Sequence, residues 1–166
     1  SCVISCQQSR EVEEIIKKRV DDVGADLFWV EQLSEDWQIG LKGSFQKQNA
    51  AIAIAVIKLL EKQGWIINES AIKVGLASTK WPGRLELIEW KKRKILVDSA
   101  HNPSAAEALA KERENWSNQE KGIVWIIGVQ KQKDIASIIK KLVISMDKIL
   151  LVPIADHKSW SMKEIS

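Results

Sequence analysis

Residues 123–152 read IVWIIGVQKQKDIASIIKKLVISMDKILLV, and they set the architecture. Ile123 to Ile127 is a short, continuous apolar run that stops at Gly128, the pattern of a strand covered on both faces. Ile135, Ile138, Ile139, Leu142 and Val143 then recur at helical spacing and predict an amphipathic helix. Ile149-Leu150-Leu151-Val152 predicts the next strand. Strand, helix and strand in that order, with apolar strands, predict an α/β fold with a parallel sheet beyond residue 84.

Working back from this unit, Arg84 to Trp90 alternates loosely and Ile95-Leu96-Val97 follows across Lys91-Lys92-Arg93-Lys94. That predicts a hairpin with a basic, solvated tip. A helix is expected around Ser104–Arg113. Nearer the start, Val12, Ile15, Ile16, Val20 and Val23 share one helical face, with Gly24 at the stop. Leu27–Val30 reads as a strand and residues 46–63 as a second helix. The middle of that helix, Asn49 to Val56, is apolar and Ala-rich, so it is expected to be buried on most sides. Asn68 caps a predicted third helix, Glu69–Leu76. The helical and α/β pieces meet at Trp81-Pro82-Gly83, which predicts domains 1–80 and 81–166. The first looks incomplete and the second lacks a closing element, so both ends are expected to be cut.

Composition narrows the function classes. The chain has 166 residues, 45% hydrophobic and 28% charged, with 25 Lys and Arg against 22 Asp and Glu. A net charge of +3 is not the signature of a nucleic-acid-binding surface. The apolar runs are far short of the roughly 20 residues that span a bilayer, and no signal peptide is visible. No nucleic-acid or membrane partner is expected, and the composition fits a soluble, cytoplasmic protein. Cys2 and Cys6 have no nearby histidine, since His101 and His157 are remote in sequence. No metal site is assigned. Eight Trp with no Tyr are scattered through the chain and read as packing.

Three clusters carry candidate chemistry. In Gly43-Ser44-Phe45-Gln46-Lys47-Gln48-Asn49-Ala50-Ala51, the Asn49 carboxamide matches the donor–acceptor edge of an adenine, or else caps the helix. In Trp81-Pro82-Gly83-Arg84-Leu85-Glu86, the Arg84 guanidinium suits phosphate oxygens, or else pairs with Glu86 or another surface carboxylate. In Val97-Asp98-Ser99-Ala100-His101-Asn102-Pro103, an apolar strand delivers Asp98 at its C-terminal end, where open α/β sheets bind ligands. Asp98 could accept from ribose hydroxyls and His101 could reach a phosphate; the alternative is a helix-capping turn. No P-loop pattern and no nucleophile triad occurs, and no residue is assigned a catalytic role.

Taken together, these clusters resemble the folylpolyglutamate synthase/dihydrofolate synthase family of Mur-type ligases over nearly the whole chain. Gln46 to Ala51 is similar to the family's His-Gln-x-x-Asn-Ala-Ala pattern, with Phe45 in place of His. Trp81 to Glu86 and Asp98-x-Ala100-His101-Asn102-Pro103 are close matches, and Gly128 to Asp134 looks like a variant of a further family loop. The resemblance implies a Mur-ligase-like, Rossmann-type C-terminal sheet, preceded by a helical remnant of the central ATPase domain. It implies ATP-dependent addition of L-glutamate to a folate or dihydropteroate carboxylate, in folate biosynthesis and one-carbon metabolism. Asn49 would contact adenine, Arg84 the phosphates and Asp98 the ribose, with His101 a phosphate neighbour. The family uses Mg²⁺, whose ligands and P-loop lie upstream of anything in this sequence, so a separate P-loop-bearing chain is one way to complete the site. A non-catalytic nucleotide-binding remnant and a peptidoglycan Mur ligase fragment remain the alternatives.

Overall fold

The computed structural model describes residues 1–116 and 122–164. The chain divides into two compact units, Ser1–Val97 and Asp98–Ser166.

In the first unit, β1 (Cys2–Cys6) and β2 (Asp26–Val30) pair in parallel, with Cys2 opposite Asp26 and Cys6 opposite Val30. Parallel neighbours need a crossover, which α1 (Arg10–Val23) provides. Gly24 ends α1 at φ 61, where a side chain would be penalised, and its N–H returns to the Val20 and Asp21 carbonyls. Phe28 and Trp29 are sequence neighbours on β2 and so point to opposite faces. Lys62 of α2 (Phe45–Lys62) lies 6.0 Å from the Phe28 ring, and Lys17 of α1 lies 5.9 Å from the Trp29 ring. The strand pair is therefore sandwiched between the two helices. β1 is not among the elements that the sequence pattern predicts.

Burial of α2 departs from expectation. Gln46, Ala50 and Ala51 are buried, but Val56 is 43% exposed. An Ala-rich helix is buried only as far as other elements cover it, and in this unit the cover lies over its first turns. α3 (Glu69–Ser78) starts as predicted, with Asn68 Oδ1 accepting from Ser70 N at 2.9 Å. β3 (Glu86–Trp90) and β4 (Arg93–Val97) form the antiparallel hairpin, with Trp90 opposite Arg93. Its tip residues, Lys91 and Lys92, both take positive φ (48 and 64), the geometry of a two-residue turn that follows strand twist. The hairpin belongs to the first compact unit, which ends at Val97. Leu85, at the entry to the hairpin, packs at Gly43 and ties the hairpin to the first unit.

In the second unit, α4 (Pro103–Lys111) packs on α5 (Ile135–Leu142), and β5 (Val124–Ile127) pairs in parallel with β6 (Lys148–Leu151). Ala106, Leu109, Ile127, Ile135, Ile138 and Leu142 are its buried apolar residues along these elements. The strand–helix–strand order read from residues 123–152 is what forms, and the class is α/β.

A buried carboxylate holds this unit's loops. Asp147 is fully covered, and Arg113 Nη1 and Nη2 donate to it at 2.6 and 2.7 Å. Ile123 N, Trp125 Nε1 and Ile144 N also donate, at 2.8, 2.9 and 3.1 Å. The Arg113 guanidinium holds the Asp147 carboxyl well below the usual carboxylate range, against the opposing effect of burial. Asp147→Ala would strand a buried guanidinium and should cost about 3–5 kcal/mol in urea unfolding followed by near-UV circular dichroism. The sign with pH follows from the lowered folded value. The stabilisation is complete above the ordinary carboxyl value of 3.8 and drains away as pH falls below it, and Asp147→Asn should lack that acid-dependent part.

Candidate functional site

Asn49 is the fifth residue of α2 and does not cap it. Ser44 occupies the capping position. The exposed Asn49 donates through Nδ2 to Oε1 of the buried Gln46 at 3.0 Å. Its Oδ1 accepts no hydrogen bond from a described residue, so an acceptor stands at the surface one turn into the helix. Beside this entrance is a shallow cavity of about 280 Å³, lined by Trp37, Leu41, Gly43, Ser44 and the Glu35–Lys47 ion pair.

Arg84 is exposed and forms no ion pair with a described residue. The Glu86 carboxylate, which might have paired with it, accepts instead from Gly83 N at 2.8 Å. The backbone on both sides of Arg84 is unusual: Gly83 has φ 72 and Leu85 has φ 43. A non-glycine residue there costs on the order of 1–3 kcal/mol. Leu85 is only 3% exposed, and burying a leucine returns roughly 1.5–3 kcal/mol, which offsets the strain. A β-carbon at Gly43 would stand 2.7 Å from Leu85 Cδ1 and 2.7 Å from Phe45 Cε1, so the missing side chain is what admits them. Within the first unit the structure thus brings the turn carrying Arg84 to the start of the helix carrying Asn49.

In the second unit, Asp98 directly follows β4. It is half-buried, and its Oδ1 accepts from Ala100 N at 2.8 Å, closing a tight turn. His101 is exposed, with Nδ1 3.0 Å from the Ser99 carbonyl. A carbonyl only accepts, so Nδ1 is the donor in this contact. The cap of α4 is Asn102, whose Oδ1 accepts from Ala105 N at 2.8 Å, with Pro103 in the first turn. The turn reading of this segment is therefore realised, and it holds Asp98 and His101 on one short arc. In the later loop, Asp134 caps α5 by accepting from Ser137 N at 3.0 Å, which lowers its pKa. Lys131 pairs with Glu164, and Trp160 Nε1 donates to the Lys133 carbonyl at 3.3 Å.

Sequence reasoning did not single out Gln46 or the Leu85–Gly43 contact, although both lie inside the quoted clusters. Arg113 and Asp147 are 34 residues apart, and no local pattern links them.

Helices packed about parallel strands, with polar residues gathered in turns after strands and at a helix entrance, define an α/β protein. Residues 84–157 match the family model described as "Dihydrofolate synthetase, C-terminal domain". Over 120 residues the chain is 34% identical to the folylpolyglutamate synthase of Lacticaseibacillus casei, covering 72% of this chain and 27% of that protein. It is 33% identical over 114 residues to the dihydrofolate synthase/folylpolyglutamate synthase of Bacillus subtilis, covering 68% of this chain and 26% of that one. Its fold superposes on Mycobacterium tuberculosis folylpolyglutamate synthase complexed with ADP with a TM-score of 0.82 at 20% identity, over 99% of this chain and 41% of that one. The chain belongs to the folylpolyglutamate synthase/dihydrofolate synthase family, and it spans about a quarter of the length of these two curated relatives.

Asn102→Ala should cost about 0.5–2 kcal/mol in thermal or urea unfolding, whereas Asn102→Gly should cost only a few tenths, as expected of a cap rather than a ligand contact.

Proposed function

We propose that this chain supplies part of the nucleotide site of a cytoplasmic, ATP-dependent ligase that adds L-glutamate to a folate or dihydropteroate carboxylate. The observation carrying the reading is the exposed Arg84, without an ion pair to a described residue, on the Trp81–Glu86 turn shared with the family. The 34% identity to a protein named folylpolyglutamate synthase supports it. Support also comes from a structural relative that holds ADP. In this reaction the γ-phosphoryl group of ATP passes to the substrate carboxylate, giving an acyl phosphate and ADP. The glutamate amine then attacks the acyl carbon, phosphate leaves, a proton is released and the amide forms.

In this reading Asn49 takes the adenine edge, Arg84 the phosphate oxygens and Asp98 the ribose hydroxyls, with His101 a neighbour of phosphate. A planar fork of N–H donors on Arg84 stabilises charge on the transferred group, which is the main work of phosphoryl transfer. Among the described residues no group of three or more His, Cys, Asp or Glu could hold a metal ion. Among the described residues, no helix is long and apolar enough to cross a membrane. We further propose a domain boundary near Lys80/Trp81, which the start of the family match at residue 84 supports.

Glutamate ligation should be absent for the chain alone and appear when it is joined to a P-loop-bearing partner; no ligation in the joined protein would overturn the reading. In that joined enzyme, Arg84→Ala should raise the ATP requirement, and Lys should substitute poorly because a point charge lacks the planar fork. Asp98→Asn should weaken ATP use by about 1.5–3 kcal/mol at most while sparing the folate and glutamate requirements. An equal loss for all three substrates would indicate a folding defect and remove the ribose role.

A further inference from the structure

We infer that Leu85, seated in the space that Gly43 leaves open, is the residue that positions Arg84, so that Gly43 and Leu85 set phosphate affinity without touching the nucleotide. The inference rests on the phosphate role proposed above for Arg84. Arg84 is bracketed by two left-handed backbone positions, Gly83 at φ 72 and Leu85 at φ 43. Glycine tolerates the first. The second is offset by burial of the Leu85 side chain, at 3% exposure, with Cδ1 2.7 Å from where a Gly43 β-carbon would stand. Gly43 has φ 104, so it is required both for its backbone and for the room it leaves. The Glu86 carboxylate fixes the other side of the turn through Gly83 N at 2.8 Å. Releasing the Leu85 side chain removes a buried contact that offsets the strain at its φ, and the turn is then freer to relax towards ordinary backbone. Arg84 is exposed and forms no ion pair with a described residue, so its own side chain does not hold the turn.

The test uses the whole chain, titrated with inorganic tripolyphosphate and followed by the NMR shift of the Arg84 Nε–H. Arg84→Ala, followed on neighbouring amides, should weaken binding about 10-fold, the scale of one charge-assisted contact. Gly43→Ala should weaken it by a similar factor, with far-UV circular dichroism unchanged, and should add nothing in the Gly43→Ala/Arg84→Ala double variant. Leu85→Met keeps an apolar plug and should retain affinity, whereas Leu85→Ala should lose it; this pair decides the matter if Gly43→Ala does not fold. Unchanged affinity in a folded Gly43→Ala or Leu85→Ala, or an equal further loss in the double variant, would overturn the positioning role and leave simple packing. If Arg84→Ala itself binds tripolyphosphate as the parent does, the phosphate reading of Arg84 falls, and the positioning role falls with it.

Discussion

Two parallel strands cannot be closed by a tight turn, and both units of this chain are arranged around that constraint. In the first, α1 carries the chain from β1 back to the start of β2, and α2 covers the other face of the pair. In the second, α5 does the same between β5 and β6. The crossover leaves the segments that follow the strands at one edge of each pair. Gly128 to Asp134 follows β5 in this way, and a tight polar turn also follows β4 at Asp98. Polar residues such as Asp98 and Asp134 stand in these segments, where backbone amides are no longer committed to a ladder and donate to side-chain partners.

A crossover fixes direction but does not hold the loops at the other end, and in the second unit an ion pair does that. The Asp147 carboxylate takes donors from Arg113, from the indole of Trp125 and from the amides of Ile123 and Ile144. These donors come from the turn of helix after α4, from the start of β5 and from the turn before β6, so one buried charge ties the starts of both strands together. Burial alone would raise that carboxyl's pKa; the donors win, and the group stays ionised inside the unit. Such a pair specifies an arrangement more than it stabilises one, since the desolvation of two charges cancels much of their attraction.

What could be read in advance divides along the same physical line. Periodicity marks α1 and α5, and a glycine or an asparagine at a helix end marks its limits, because these signals act within one turn of the chain. The basic run marks the hairpin tip, where Lys91 and Lys92 take positive φ. The extent of burial of α2 could not be read, because an apolar sequence says what a helix can bury, not what stands against it. β1 is short and carries Ser5 between apolar residues, so its strand character depends on pairing with β2. The Leu85–Gly43 contact and the Arg113–Asp147 pair are long-range, and nothing local announces either.

The same residue types have different uses in this chain, and their hydrogen-bond partners separate them. Asn68 and Asn102 spend their side-chain oxygens on the first free amides of α3 and α4, whereas Asn49 sits inside α2 with its oxygen facing outwards. Arg113 is buried with both terminal nitrogens on one carboxylate; Arg84 is exposed on a strained turn. Asp134 is a helix cap, while Asp98 closes a turn immediately after a strand. Capping and burial are uses that folding itself repays, since each satisfies a group that would otherwise lose its water. An exposed arginine held by an unfavourable backbone is not repaid by folding. The strain at Leu85 is offset by apolar burial. The strained turn therefore fixes the backbone that carries Arg84 through the burial of its neighbour Leu85, not through an ion pair of the guanidinium with a described residue.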